Sequence, residues 1–134
     1  MNTKKFIIAG VASFIAIFLF DMVWHGKLLV EQYQATSFLW RSPEEMQAYF
    51  NWAILLQAAL GFAAAFIFTR HYENKGMKEG IRFGLMLGAV LGIMSFTMYA
   101  YMPIPMSLAI AWFVGSLIQG VLIGIVCSMT YKTA

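Results

Sequence analysis

The chain has 134 residues, 61% of them hydrophobic and only 11% charged, with a mean hydropathy of +0.74. A soluble domain of that length needs a charged surface that these residues cannot supply, whereas a bilayer removes the need. The net charge of +3 sits beside apolar segments, which is orientation chemistry rather than a nucleic-acid footprint, and the one cysteine, Cys127, excludes an internal disulfide and a CxxC relay.

The first apolar segment, residues 6–24, is long enough to cross roughly 30 Å of hydrocarbon. Lys4 and Lys5 before Phe6 imitate a secretory leader, but Asp21-Met22-Val23-Trp24 is no small-residue cleavage site, so the segment is expected to remain as span 1. It ends in Asp21-Met22-Val23-Trp24-His25-Gly26-Lys27. Asp21 and His25 stand four residues apart and share a helix face, about 40° apart around the axis.

Residues 26–43 form the first loop. Leu29, Tyr33, Thr36 and Trp40 recur at helical spacing and suit either a short helix lying in the interface or a compact loop covering the bundle mouth. Ser42-Pro43-Glu44-Glu45 predicts a helix start: Ser42 as N-cap, Pro43 at the first position and Glu45 completing a capping box. Span 2 follows over 46–69 without a charge, then Arg70, His71, Glu73 and the turn signal Asn74-Lys75-Gly76. No charged residue occurs from Phe83 to Tyr131, and Pro103-Ile104-Pro105 breaks that run into span 3, residues 79–102, and span 4, residues 107–131.

The expected fold is therefore an all-α integral membrane protein, one domain over 1–134, with four transmembrane helices in an up-down bundle. Lys4, Lys5, Arg70, Lys75, Lys78, Arg82 and Lys132 fall on one side and only Lys27 and Arg41 on the other, so both termini are expected in the cytoplasm of a bacterial inner-membrane protein. Trp24, Trp40, Trp52 and Trp112 then gather near the outer interface, as aromatic side chains do.

Gly80, Gly84, Gly88 and Gly92 repeat every fourth residue in span 3, and Ser116, Gly120, Gly124 and Ser128 do so in span 4. Small residues at this spacing let helix backbones approach closely, and each stripe is the simplest partner for the other. Met94, Met98, Met102 and Met106 form a second stripe on another face. It suits flexible apolar filling, with Cu(I) transfer as the sharper alternative. Gln57 and Gln119 lie near mid-membrane and are expected either to pair with each other or to line a pathway.

An acid inside an apolar span is costly, which makes Asp21 the leading candidate for function. By residue count, Asp21 and His25 lie level with Asn51, Trp52, Tyr99 and Trp112. Three roles fit: a polar cluster locking the bundle mouth, a proton or ion site, or a contact for a neighbouring subunit or a quinone. Two candidate ligands are too few for a closed metal site, so no metal or other cofactor is expected. Walker, Rossmann, HExxH, GxSxG and CxxCH signatures are absent from the sequence.

The run Asp21 to Leu29, then Tyr33, Leu39-Trp40-Arg41 and Glu44-Glu45-Met46, together with Tyr101 to Pro105 and Ala111-Trp112-Phe113, resembles small four-helix bacterial inner-membrane proteins of unknown function. That resemblance implies the fold and no activity. Small multidrug-resistance transporters share the length and an acid in the first of four spans, but there the acid stands mid-span. Two functions are expected from the residues. The first is a non-enzymatic accessory or assembly subunit, held in the lipid bilayer and packed against other membrane subunits or itself. The second is a small transporter of protons, metal ion or small solute using Asp21 and His25. No nucleic-acid partner is expected.

Overall fold

The computed structural model describes residues 1–132, and these are helical throughout, joined by short turns. Four helices are long and apolar enough to cross a membrane, which makes this a multi-pass membrane protein. Helix α1 covers Thr3–Val23, with the Asn2 side chain accepting the Lys5 N–H as its cap. A π-helical turn, Trp24–Leu28, carries the same rod onward, so the first span reaches Leu28 rather than ending near Trp24. The short helices α2, Val30–Ala35, and α3, Pro43–Ala48, follow.

Ser42 and Glu45 form the reciprocal capping box at the start of α3: each backbone N–H donates to the other's side-chain oxygen at 3.2 Å. The helix it starts ends at Ala48, and the second span, α4, is Phe50–Arg70. The expected span from residue 46 is thus two helices meeting at Tyr49 (φ −100°, ψ 4°). Helices α5, Met77–Thr97, and α6, Met106–Thr130, complete the bundle. The 3₁₀ turn Met98–Ala100 and the Pro103-Ile104-Pro105 segment join them.

Helix α1 packs between α4 and α6, and α5 lies along α6. The α5–α6 contact runs through the glycines. A Cβ added at Gly88 would sit 2.6 Å from the Ser116 carbonyl oxygen, and one at Gly84 would sit 2.7 Å from the Val121 Cα. Neither position tolerates any side chain, because what it would meet is backbone. Gly92 faces the Phe113 ring, and Gly80 faces Gly124 and Ser128.

The principal core joins Ala9 and Ile17 of α1, Ala64, Ala65 and Phe68 of α4, and Ile123 and Cys127 of α6. Most of these side chains are small, which is how helices associate when lipid outside is as apolar as the core. At the end holding both termini, Tyr131 is buried, stacks edge-on with Tyr72 and accepts the Asn2 N–H at 3.0 Å. Lys5 Nζ donates to the Lys132 carbonyl.

At the opposite end the first loop is itself packed. Leu29 is buried with Ile104, Leu108 and Ala109, and Tyr33, Leu39 and Trp40 close over them. The loop therefore covers the start of α6 with aromatic side chains. Met94, Met98 and Met106 point outward, while Met102 packs into this second core.

Candidate functional site

Asp21 stands on the face of α1 turned into the bundle, one turn before the π-helical extension. Gln57 Nε2 of α4 donates to one carboxylate oxygen at 2.7 Å, and Gln119 Nε2 of α6 donates to the other at 2.7 Å. The carboxylate is thus held from both flanking helices by neutral amides. Such bonds orient a charge without neutralising it. His25, one turn along, brings Nε2 to 3.9 Å from Asp21 Oδ1, within ion-pair range but beyond a hydrogen bond.

The other imidazole nitrogen, Nδ1, lies 2.6 Å from the Tyr33 hydroxyl. That hydroxyl also accepts the Trp112 indole N–H at 2.8 Å. A phenol has one hydrogen to give and two lone pairs to accept with. When His25 is neutral, Tyr33 donates to Nδ1, which leaves the imidazole hydrogen on Nε2, facing Asp21. When His25 is protonated, the same hydroxyl turns and accepts from Nδ1–H as well as from Trp112. The pair is built to serve both charge states. Burial pushes the Tyr33 phenol above its ordinary value, with the Trp112 hydrogen bond opposing, so its proton is retained at neutral pH.

Trp24 braces this arrangement. Its indole N–H donates to the Ala111 carbonyl at 3.2 Å, and its ring stacks on Phe20 with centroids 5.6 Å apart. The ring lies over Gly115, where a Cβ would come within 2.8 Å of the indole. Beside the site is a cavity of about 230 Å³ lined by Phe20, His25, Tyr33, Ser95, Trp112, Gly115, Ser116 and Gln119. A wider groove of about 830 Å³ under the first loop shares His25, Tyr33 and Trp112 with it. Those three side chains line both groove and cavity.

One polar atom is out of balance. Gln57 Oε1 is buried with no hydrogen-bond partner, although its own amide nitrogen holds Asp21. Gln57 thus commits its amide nitrogen to Asp21 and leaves its carbonyl oxygen unpaired.

The sequence expectation placed Asp21 and His25 level with Asn51 and Tyr99; the structure does not. Asn51 is exposed near the start of α4, and Tyr99 is exposed beside Phe96. The α4 partner of Asp21 is instead Gln57, six residues further along the helix. Gln57 and Gln119 do not bond to each other; both are bonded to Asp21. Trp112 does join the site, through Tyr33 rather than through Asp21.

Tyr33 is the residue that the site reading of the sequence omitted. Its signal was its place eight residues after His25, within a stretch of helical spacing. Comparison with protein-family models, with curated proteins and with solved structures finds no match, so the function rests on this geometry alone.

Proposed function

We propose that this protein is a non-enzymatic membrane carrier of protons or of a small cation, with Asp21 as the internal binding group and His25 and Tyr33 as its route toward the loop-side groove. The observation that carries this reading is the unpaired Gln57 Oε1 beside the Asp21 carboxylate. A half-buried carboxylate and a buried amide oxygen stand together, and the nearest basic group is the imidazole at 3.9 Å. Leaving a carboxylate inside a bilayer without a counter-charge costs several kcal/mol, on the order of 2 to 4. A proton on Asp21 removes that cost, and a small cation bridging Asp21 and Gln57 Oε1 does the same. His25 completes the path because its two nitrogens face Asp21 and Tyr33.

The alternative role as an accessory subunit draws on apolar side chains turned outward on every span. Lipid covers such surfaces equally well, so no particular residue favours it. In the membrane placement that goes with the carrier reading, both termini and the Arg70–Lys78 loop are cytoplasmic in a bacterial inner membrane, and α2 lies in the outer interface. The asymmetry of Lys and Arg supports that placement.

The test is proton uptake into liposomes carrying the purified protein and an internal pH-sensitive dye, repeated with a sodium gradient. Wild type is expected to dissipate one of the two gradients. Asp21→Asn is expected to abolish that flux while helical content and expression are retained. Flux equal to wild type in Asp21→Asn, or none above empty liposomes in wild type, overturns the reading.

A further inference from the structure

Helices α4 and α5 are joined by a short loop, yet they make no extended contact; Phe68 and Phe83 meet with ring centroids 5.4 Å apart, and beyond them the helices part. The gap is a continuous crevice. It begins at the loop as a cleft of about 440 Å³ lined by Lys75, Lys78, Glu79 and Arg82. Through Glu79 and Arg82 it passes into a second cleft of about 390 Å³, which adds His71, Phe83 and Met86. Through those three it continues into a third of about 310 Å³, whose remaining walls are Ile67, Leu87 and Val90. The mouth is basic and the far end is apolar.

The charges at the mouth do not cancel. Glu73 takes both Lys75, at 2.5 Å, and Arg82, at 2.9 Å. Glu79 is buried and accepts the backbone N–H groups of Glu73 and Lys75 at 2.6 and 2.9 Å, so it is committed to shaping the loop. Lys78 has no carboxylate partner among the described residues. Three cations, Lys75, Lys78 and Arg82, therefore meet two carboxylates, Glu73 and Glu79, at the opening of an apolar crevice, and the unpaired positive charge is that of Lys78. That combination matches an amphiphile whose head is an anion and whose tail is a hydrocarbon chain.

We propose that this crevice is a binding site for an anionic phospholipid, with the phosphate at Lys75, Lys78 and Arg82 and one acyl chain running between Phe83, Met86 and Val90. The glycines of α5 hold it tightly to α6 on the opposite side and its tie to α4 is the Phe68–Phe83 ring contact, so the crevice stays open for the chain beyond that contact. The site lies at the end of the bundle remote from Asp21 and is independent of the carrier reading.

The test is native mass spectrometry of the full-length protein released from vesicles of equal phosphatidylglycerol and phosphatidylcholine. Wild type is expected to retain phosphatidylglycerol in preference. Lys78→Gln removes a side chain with no partner and leaves the fold alone; it is expected to weaken that retention about fivefold. Lys4→Gln removes one charge from the same end of the bundle and is expected to leave retention unchanged. Met86→Trp fills the crevice without altering charge and is expected to reduce retention as Lys78→Gln does. Glycerol 3-phosphate added as a soluble competitor is expected not to displace the lipid. Equal retention of the two lipids, an equal loss in Lys4→Gln, full retention in Met86→Trp, or displacement by glycerol phosphate would each overturn the proposal.

Discussion

At the scale of the residue, Tyr33 decides how His25 is used. Its hydroxyl is the meeting point of an indole N–H and an imidazole nitrogen, and no other group among the described residues replaces it. Tyr33→Phe keeps the ring but leaves the Trp112 N–H without its acceptor. The expected cost is about 1–2 kcal/mol, read as a lower unfolding temperature in detergent. Nitrogen NMR of His25 should show a second change. In wild type the neutral imidazole carries its hydrogen on Nε2; in Tyr33→Phe that preference is expected to weaken, since Nδ1 has lost its donor. A neutral His25 found with its hydrogen on Nδ1 in wild type would contradict the hydrogen-bond directions assigned here. Gln57 and Gln119 offer a comparison of their own. Each gives Asp21 one bond of 2.7 Å, but only Gln119 lines the small cavity. Gln119→Leu is therefore expected to impair carrier flux more than Gln57→Leu at similar stability, both read in liposomes and by thermal unfolding.

At the scale of the element, α5 and α6 behave as one hairpin sealed by backbone contact. Gly88→Leu must drive the two backbones apart, because the obstacle is the Ser116 carbonyl and the Leu117 Cα rather than a side chain that can turn away. We expect a loss of about 3 kcal/mol, the upper end for overpacking. Leu87→Ala, at a half-buried neighbour that packs on the principal core, should cost about 1 kcal/mol. Thermal unfolding in one detergent compares them, and equal losses would mean that the glycine face does not carry the hairpin. The α4–α5 loop has a pH dependence of known sign. Hydrogen bonds from Lys75 and then Arg82 hold the Glu73 carboxyl below its ordinary value of 4.5. A lowered carboxylate contributes its stabilisation above the ordinary value and loses it as pH falls through the lowered one. The Arg82 side-chain NMR signals should therefore be constant near neutrality and shift only below about pH 4.5, with no shift in Glu73→Gln. A transition near neutral pH would assign the change to another group.

At the scale of the whole molecule, the two ends of the bundle differ in chemistry. One end gathers both termini, the buried Tyr131 with its tie to Asn2, and the basic loop around Glu79. The other gathers the aromatic cover formed by Tyr33, Trp40 and Trp112, edge to face at 5.6 and 6.1 Å. If the Lys and Arg asymmetry sets the orientation, reporter fusions after Gln34 and after Lys75 will report opposite sides, with the second in the cytoplasm. The same side for both would be incompatible with four crossings. His25 and Gln119, the neighbours of Asp21, line the cavity at the aromatic end. The basic end has its own crevice, whose lining shares no residue with the cavity at the aromatic end.

The amino-acid sequence by itself determined the number of long apolar spans and their apolar character. Those follow from runs of about twenty uncharged residues, and a run of that length has few other uses. The capping box at Ser42 and the break at Pro103 were equally readable, because each acts through neighbours in the chain. Periodicity also placed the glycines of α5 on one face. What meets a face is a different kind of fact. That Gln57 and Gln119 converge on Asp21, rather than on each other, depends on how far α1 slides past α4 and α6. That depth is set by the packing of three helices against one another, and no residue pattern announced it. The crevice between α4 and α5 likewise exists because α5 is bound to α6 by backbone contact, and only the packed bundle shows which neighbour a helix does without.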